Sequence, residues 1–122
     1  MTTISSSTTR AITLTSPTYQ NPVVILSGVE IVPGDGSPAI VGSGTSSYWA
    51  IQNSGTVSST FGFYGIILDG SGSIDNSTAA TIFGYGYGIR IESGPGTVIN
   101  DGLVSGAPGL TWISQMWVAL VQ

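Results

Sequence analysis

The chain contains no cysteine, no histidine and no lysine. Disulfides, thiolate or imidazole metal sites and imidazole-based acid–base catalysis are therefore excluded by composition, and no metal or cofactor is expected. Two arginines stand against six acidic residues, for a formal net charge of −4. The basic footprint that holds phosphate backbones is missing, so nucleic acid is not an expected partner. Charged residues make up only 7% of the chain, which leaves a surface of hydroxyls, amides and glycine, poor in the lysine and glutamate that keep sheet edges apart. No apolar run reaches the roughly 18 residues that a membrane helix needs. Met1–Thr9 has neither the basic nor the apolar region of a signal peptide, so an address for export is expected outside this sequence.

What is present argues for a buried core in spite of 18 glycines: 41% of the 122 residues are hydrophobic and the mean hydropathy is +0.36. The apolar residues recur with a period. Ala50-Ile51-Gln52-Asn53, Ser73-Ile74-Asp75-Asn76 and Thr97-Val98-Ile99-Asn100 repeat at intervals of 23 and 24 residues. A fixed period in this range marks a repeat fold whose units bury their apolar faces only by stacking.

Three series follow the same drift. Ala11, Ala39, Gly65, Gly88 and Gly109, each before a branched aliphatic residue, are spaced by 28, 26, 23 and 21. Ile31, Val57, Ile82 and Val104 are spaced by 26, 25 and 22, and Ile25, Ile51, Ile74 and Val98 by 26, 23 and 24. Three short strands per coil, repeated about four times over residues 10–112, predict an all-β fold: a parallel β-helix, or β-solenoid, with coils of about 21–28 residues. Asn53, Asn76 and Asn100 are then expected at corners, in left-handed backbone, with their amides bonded up the stack. Gly65, Gly88 and Gly109 relieve crowding where the chain bends into a strand.

The two ends read differently. Residues 1–9 form a Thr/Ser leader with little to bury and are expected to be loosely held. Residues 113–122 form an apolar tail in which Ile113, Met116, Trp117, Leu120 and Val121 follow helical spacing. That spacing admits a helical cap on the open end; a further apolar strand is the alternative.

The cadence of Gly72-Ser73-Ile74-Asp75-Asn76, of Gly96-Thr97-Val98-Ile99-Asn100-Asp101-Gly102-Leu103-Val104-Ser105-Gly106 and of Tyr64-Gly65-Ile66-Ile67-Leu68 resembles the degenerate repeats of bacterial autotransporter passenger domains. The resemblance spans Ile12 to about Trp112. It implies a right-handed parallel β-helix, extracellular or displayed on a Gram-negative cell surface, often adhesive. The translocator barrel of that family has no counterpart in these residues, which implies a piece of a longer passenger.

Candidate chemistry is sparse. Asp69 and Glu92 follow corresponding strands 23 residues apart, so stacking brings two carboxylates to about one strand spacing, near 5 Å. Arg90 is expected on the same outward face as Glu92. Paired acids with a basic group are the raw material of a polysaccharide lyase or hydrolase; a surface ion pair is the plainer reading. Gly70–Asp75 matches only one calcium-binding nonapeptide turn, Gly84–Gly88 precedes a strand and so makes no phosphate loop, and Asn76-Ser77-Thr78 is a glycosylation sequon. Phe61, Phe63, Tyr64, Phe83, Tyr85 and Tyr87 cluster before the same strand in two successive coils. Either some of these rings pack inward, or they form a surface for glycans or protein partners. Together these features predict a non-catalytic structural or adhesive segment that also contacts further coils or other copies end to end.

Overall fold

The structure, a computed structural model, describes residues 1–106 in full and the strand backbone of residues 113–114 and 118–121. It begins with a lone strand, Thr2–Ile4 (β1), and then winds in coils of three strands. The first coil contains Ile12–Leu14 (β2), Val23–Ile25 (β3) and Glu30–Ile31 (β4); the second contains Ile40–Gly42 (β5), Tyr48–Asn53 (β6) and Thr56–Ser59 (β7). The third contains Tyr64–Leu68 (β8), Ser71–Asn76 (β9) and Thr81–Gly84 (β10); the fourth contains Tyr87–Ile91 (β11), Gly96–Asn100 (β12) and Leu103–Gly106 (β13). Ile113–Ser114 (β14) and Val118–Val121 (β15) follow.

Corresponding strands stack into three sheets, ordered β1-β3-β6-β9-β12-β15, β4-β7-β10-β13 and β2-β5-β8-β11-β14. Every strand pairing is parallel. This is a parallel β-solenoid of about four turns, as the repeat predicts. The described residues contain no helix long and apolar enough to cross a membrane.

The core is a set of vertical ladders. Ile12, Ile40, Ile66 and Ile89 lie in register, as do Ile31, Val57, Ile82 and Val104. Apart from the half-buried Ile12, all of these are buried. In-register stacking repeats one burial problem at each level, so branched aliphatics recur and alternate residues face out. Gly42 interrupts the Leu14–Leu68 column, and the Trp49 indole fills the space: a Cβ on Gly42 would lie 2.8 Å from Trp49 Cδ1 and 2.6 Å from Leu68 Cδ2.

Four expectations need correction. Ile25 does not stack on Ile51. Val23 does, continuing to Ile74 and Val98, while Ile25 lies over Asn53. Both residues point inward, because a shift of two preserves the face of a strand. The residue beside Ile89 in the next coil is Ile113, where the first series expects Leu110; Gly109 and Leu110 lie outside the described residues. Within residues 1–9, Thr2–Ile4 pair with Val23–Ile25 and Thr8 bridges Ile31, so this segment supplies two strand positions of a coil before β2. Finally, the described parts of the tail are strands. Ile113 and Ser114 pair with β11, and residues 118–121 pair with β12, placing Leu120 beside Val98. The edges of β11 and β12 offer backbone partners that a helix could not use. Met116 and Trp117 lie outside the described residues.

Candidate binding surface

The solenoid has three corners. One lies between the β1 and β4 sheets, at the ends of β6, β9 and β12, and there the expected asparagine ladder is formed. Asn53 Nδ2 donates to Asn76 Oδ1 at 2.9 Å, and Asn76 Nδ2 donates to Asn100 Oδ1 at 2.9 Å. Asn53 and Asn76 also donate to the carbonyls of Thr81 and Leu103 in the next coil, each at 3.1 Å. Asn53 and Asn100 each accept from the N–H two residues on, the local turn bond typical of this side chain. The expected left-handed backbone is absent from these asparagines. Among the described residues, the non-glycine position with positive φ is Ala79, at 68°. The asparagines close extended strands, and their side chains make the turn. Asn76 is fully buried, so its glycosylation sequon is inaccessible in the folded chain. Gly70–Asp75 largely belongs to strand β9 and forms no ion-binding turn.

The aromatic residues gather at a second corner, where β7 leads to β8 and β10 to β11. The two connections stack through backbone bonds: Tyr85 N–H donates to Gly62 O, and Gly86 and Tyr87 N–H donate to Phe63 O, at 2.8–2.9 Å. Buried Ser59 ties the upper connection to the coil above, donating to Ser37 O and accepting from Gly62 N–H. Asp35 lies in the turn at this corner one coil earlier. The Ser37 N–H, then its hydroxyl, hold that carboxyl below the usual carboxylate range.

None of the six aromatics enters the core. Phe61, Phe63 and Tyr85 are exposed, and Tyr64, Phe83 and Tyr87 are half-buried. Inward packing of alternate rings therefore does not occur. Phe63, Tyr64 and Tyr87 form one cluster. Phe63 meets Tyr64 and Tyr87 edge-on, with centroids 5.1 and 5.2 Å apart, and the two tyrosines stack at 5.9 Å with 17° between their planes. Gly86 makes room for Phe63, since a Cβ there would lie 2.7 Å from the ring. Phe61 and Tyr85 stand at the rim, whereas Phe83 occupies the outer face of the neighbouring sheet between Ser58 and Ser105.

The three charged candidates divide between this cluster and the third corner. Arg90 projects beside the cluster: its guanidinium lies 5.4 Å from the Tyr64 centroid, and Nη1 donates to the Tyr64 hydroxyl. Arg90 Nη2 lies 4.0 Å from Glu92 Oε2, with both side chains about a third exposed. Asp69 and Glu92 do follow paired residues, Leu68 and Ile91. Their backbones are anchored equivalently, Asp69 N–H to Gly42 O and Glu92 N–H to Leu68 O. No group of three or more acidic, histidine or cysteine side chains capable of holding a metal occurs among the described residues. The Arg90–Tyr64 contact is what sequence reading missed; only the register, which sets Arg90 beside Ile67, reveals it.

Comparison of the chain with protein-family models, curated proteins and solved structures finds no match.

Proposed function

We propose that this chain is a non-catalytic, adhesive or structural segment of a β-solenoid, outside the cell or on a bacterial surface, that engages glycans or a protein partner through the Phe63–Tyr64–Tyr87 platform. The observation that carries this reading is that three mutually packed rings, spanning two coils, stay outside a core whose buried side chains are aliphatic except for Trp49. Large rings left at a surface favour a partner, because they offer contact area at low entropic cost and a polar edge for hydrogen bonds. Arg90 steadies Tyr64 while its charge is balanced by Glu92, which suits contact with uncharged or polar surfaces. The same engagement of Arg90 weighs against the polysaccharide lyase or hydrolase alternative, in which Arg90 acts with Asp69 and Glu92 as a catalytic group.

The platform is tested by glycan-array and surface-binding assays with the wild-type chain and a Phe63→Ala/Tyr87→Ala variant. Loss of binding in the folded variant is expected; retained binding contradicts the platform. Turnover of an acidic polysaccharide, with or without calcium, that disappears in Asp69→Asn and Glu92→Gln would overturn the non-catalytic assignment.

We further propose that the solenoid contacts additional coils or another copy end to end. Strand β13 pairs on one side only, with β10, among the described strands, and an unpaired edge with little charge invites another strand. Stability rising stepwise with coils appended after residue 122 would support this. Unchanged stability, with no concentration-dependent association, would oppose it.

A further inference from the structure

The third corner, where the β2 sheet hands over to the β1 sheet, holds a feature separate from the aromatic platform. The connections there differ in length: residues 15–22 in the first coil, 43–47 in the second, 69–70 in the third and 92–95 in the fourth. Strand lengths differ too. β6 runs from Tyr48 to Asn53, but β3 covers only Ile51–Asn53. Tyr48, Trp49 and Ala50 therefore pair with β9 on one side and have no strand on the other. A side chain closes that edge. Asn21 Nδ2 donates to Tyr48 O and Asn21 Oδ1 accepts from Ala50 N–H, both at 2.8 Å. One carboxamide thus reproduces a strand's donor–acceptor pair, and the longer 15–22 connection stands off around it.

The result is an open notch of about 370 Å³ between that connection and the start of β6, at the lower end of the range of small-ligand sites. Its walls are Ser16, Tyr19 and Gln20 on one side and Ser47 and Tyr48 on the other, with Asn21 and Trp49 behind them. Tyr48 is half exposed; Tyr19 packs partly on the core. Asn21 and Ser47 are engaged with the backbone, which fixes the walls. The Tyr19 and Tyr48 hydroxyls and the Gln20 carboxamide make no hydrogen bond to other described residues.

We propose that this notch binds a neutral saccharide unit. The lining carries no charged side chain, so a carboxylated, sulfated or cationic ligand would lose hydration without gaining a counter-charge. The chain's net charge of −4 disfavours anions further. A pyranose ring has an apolar C–H face and a rim of hydroxyls that both donate and accept. Phenol rings answer the first requirement; two phenol hydroxyls and a carboxamide, free to donate and accept, answer the second.

Saturation-transfer NMR and calorimetry on the full chain, with cellobiose, maltose and chitobiose as neutral probes and a uronic-acid disaccharide as the charged one, test this site. Saturable binding of at least one neutral probe is expected, with the charged probe weaker. Tyr48→Ala should weaken that binding about ten-fold or more, while Asp75→Ser, at an exposed position of β9 outside both the notch and the platform, should leave it unchanged. Gln20→Ala provides a second reading if Tyr48→Ala fails to fold, and it should also weaken binding. No saturable binding of any neutral probe would overturn the proposal, as would equal binding by the folded Tyr48→Ala and Gln20→Ala variants or preference for the charged probe. Loss in Phe63→Ala alone would move the sugar to the platform and would also overturn it.

Discussion

Asn53 Nδ2 and Asn76 Oδ1, 23 residues apart in sequence, lie 2.9 Å apart inside the solenoid. Asn76 also serves the carbonyls of Ala80 and Leu103 and the Oδ1 of Asn100. Asn76→Ala strands several buried polar groups at once, and we expect a loss of about 3 kcal/mol from penalties of 1–3 kcal/mol per unsatisfied group. Asn76→Asp is expected to be worse at neutral pH, because it sets an acceptor against acceptors. Burial and those neighbouring oxygens raise the folded-state pKa of the new carboxyl. The variant should therefore regain stability as pH falls through that raised value, where the protonated acid can donate again. Denaturant melts at neutral and acidic pH check both the loss and its sign.

Ile74 and Asp75 are neighbours on opposite faces of β9, one buried and one exposed. Ile74→Asp places a charge between Ile51 and Val98, at an expected cost above about 4 kcal/mol. Asp75→Ser should stay within about 0.5 kcal/mol of the parent. Equal melting temperatures for the two variants would contradict the register.

Gly65 sits where the third coil bends into β8. A Cβ there would lie 2.7 Å from two backbone oxygens, those of Phe83 and Gly88. Backbone cannot yield as a flexible side chain does, so Gly65→Ala should cost about 2 kcal/mol. Gly34 has nothing within 4 Å of the same position, and Gly34→Ala should change the melting temperature little. Chemical denaturation of the pair tests how tightly the chain bends at Gly65.

At the platform, the ion pair and the rings should separate energetically. Arg90 and Glu92 are 4.0 Å apart and about a third exposed, so Glu92→Gln should shift stability by less than about 0.5 kcal/mol. Tyr64→Ala removes the Phe63 and Tyr87 contacts together with the Arg90 contact, and should cost about 1–2 kcal/mol. Parallel thermal melts at low and high salt distinguish the two contributions.

The middle of the chain was legible because its stacked residues are chemically alike: Ile51, Ile74 and Val98 repeat in both type and spacing, and so do the three asparagines. Ile25 was misaligned because Val23 and Ile25 are both β-branched and both inward, and period-two alternation cannot distinguish a shift of two. Strand β1 left little signature because Ile4 is its one apolar residue and, among the described strands, it pairs along one edge. The aromatic cluster could be located but not its orientation, since the space that Gly86 leaves for the Phe63 ring one coil away appears only in the stacked structure. The notch at Tyr48 was invisible, because it arises from the difference between two strand lengths and from one long-range carboxamide. Arg90 was placed correctly on the outer face with Glu92, yet its contact with Tyr64 needed the register.

The parallel stack itself is tested most directly by spin-label distances, for which a chain without cysteine is well suited. Thr3, Val24, Gln52, Asp75 and Ile99 occupy one column of the β1 sheet, one residue per coil. Cysteine pairs joining Ile99 to Asp75, to Gln52 and to Thr3 should give backbone separations that rise by about 4.8 Å per coil, reaching about 19 Å at Thr3. A steady rise of that size is the expected result. Distances that fail to increase along the column, or an Asp75–Ile99 pair far beyond one strand spacing, would contradict the solenoid and the surfaces built on it.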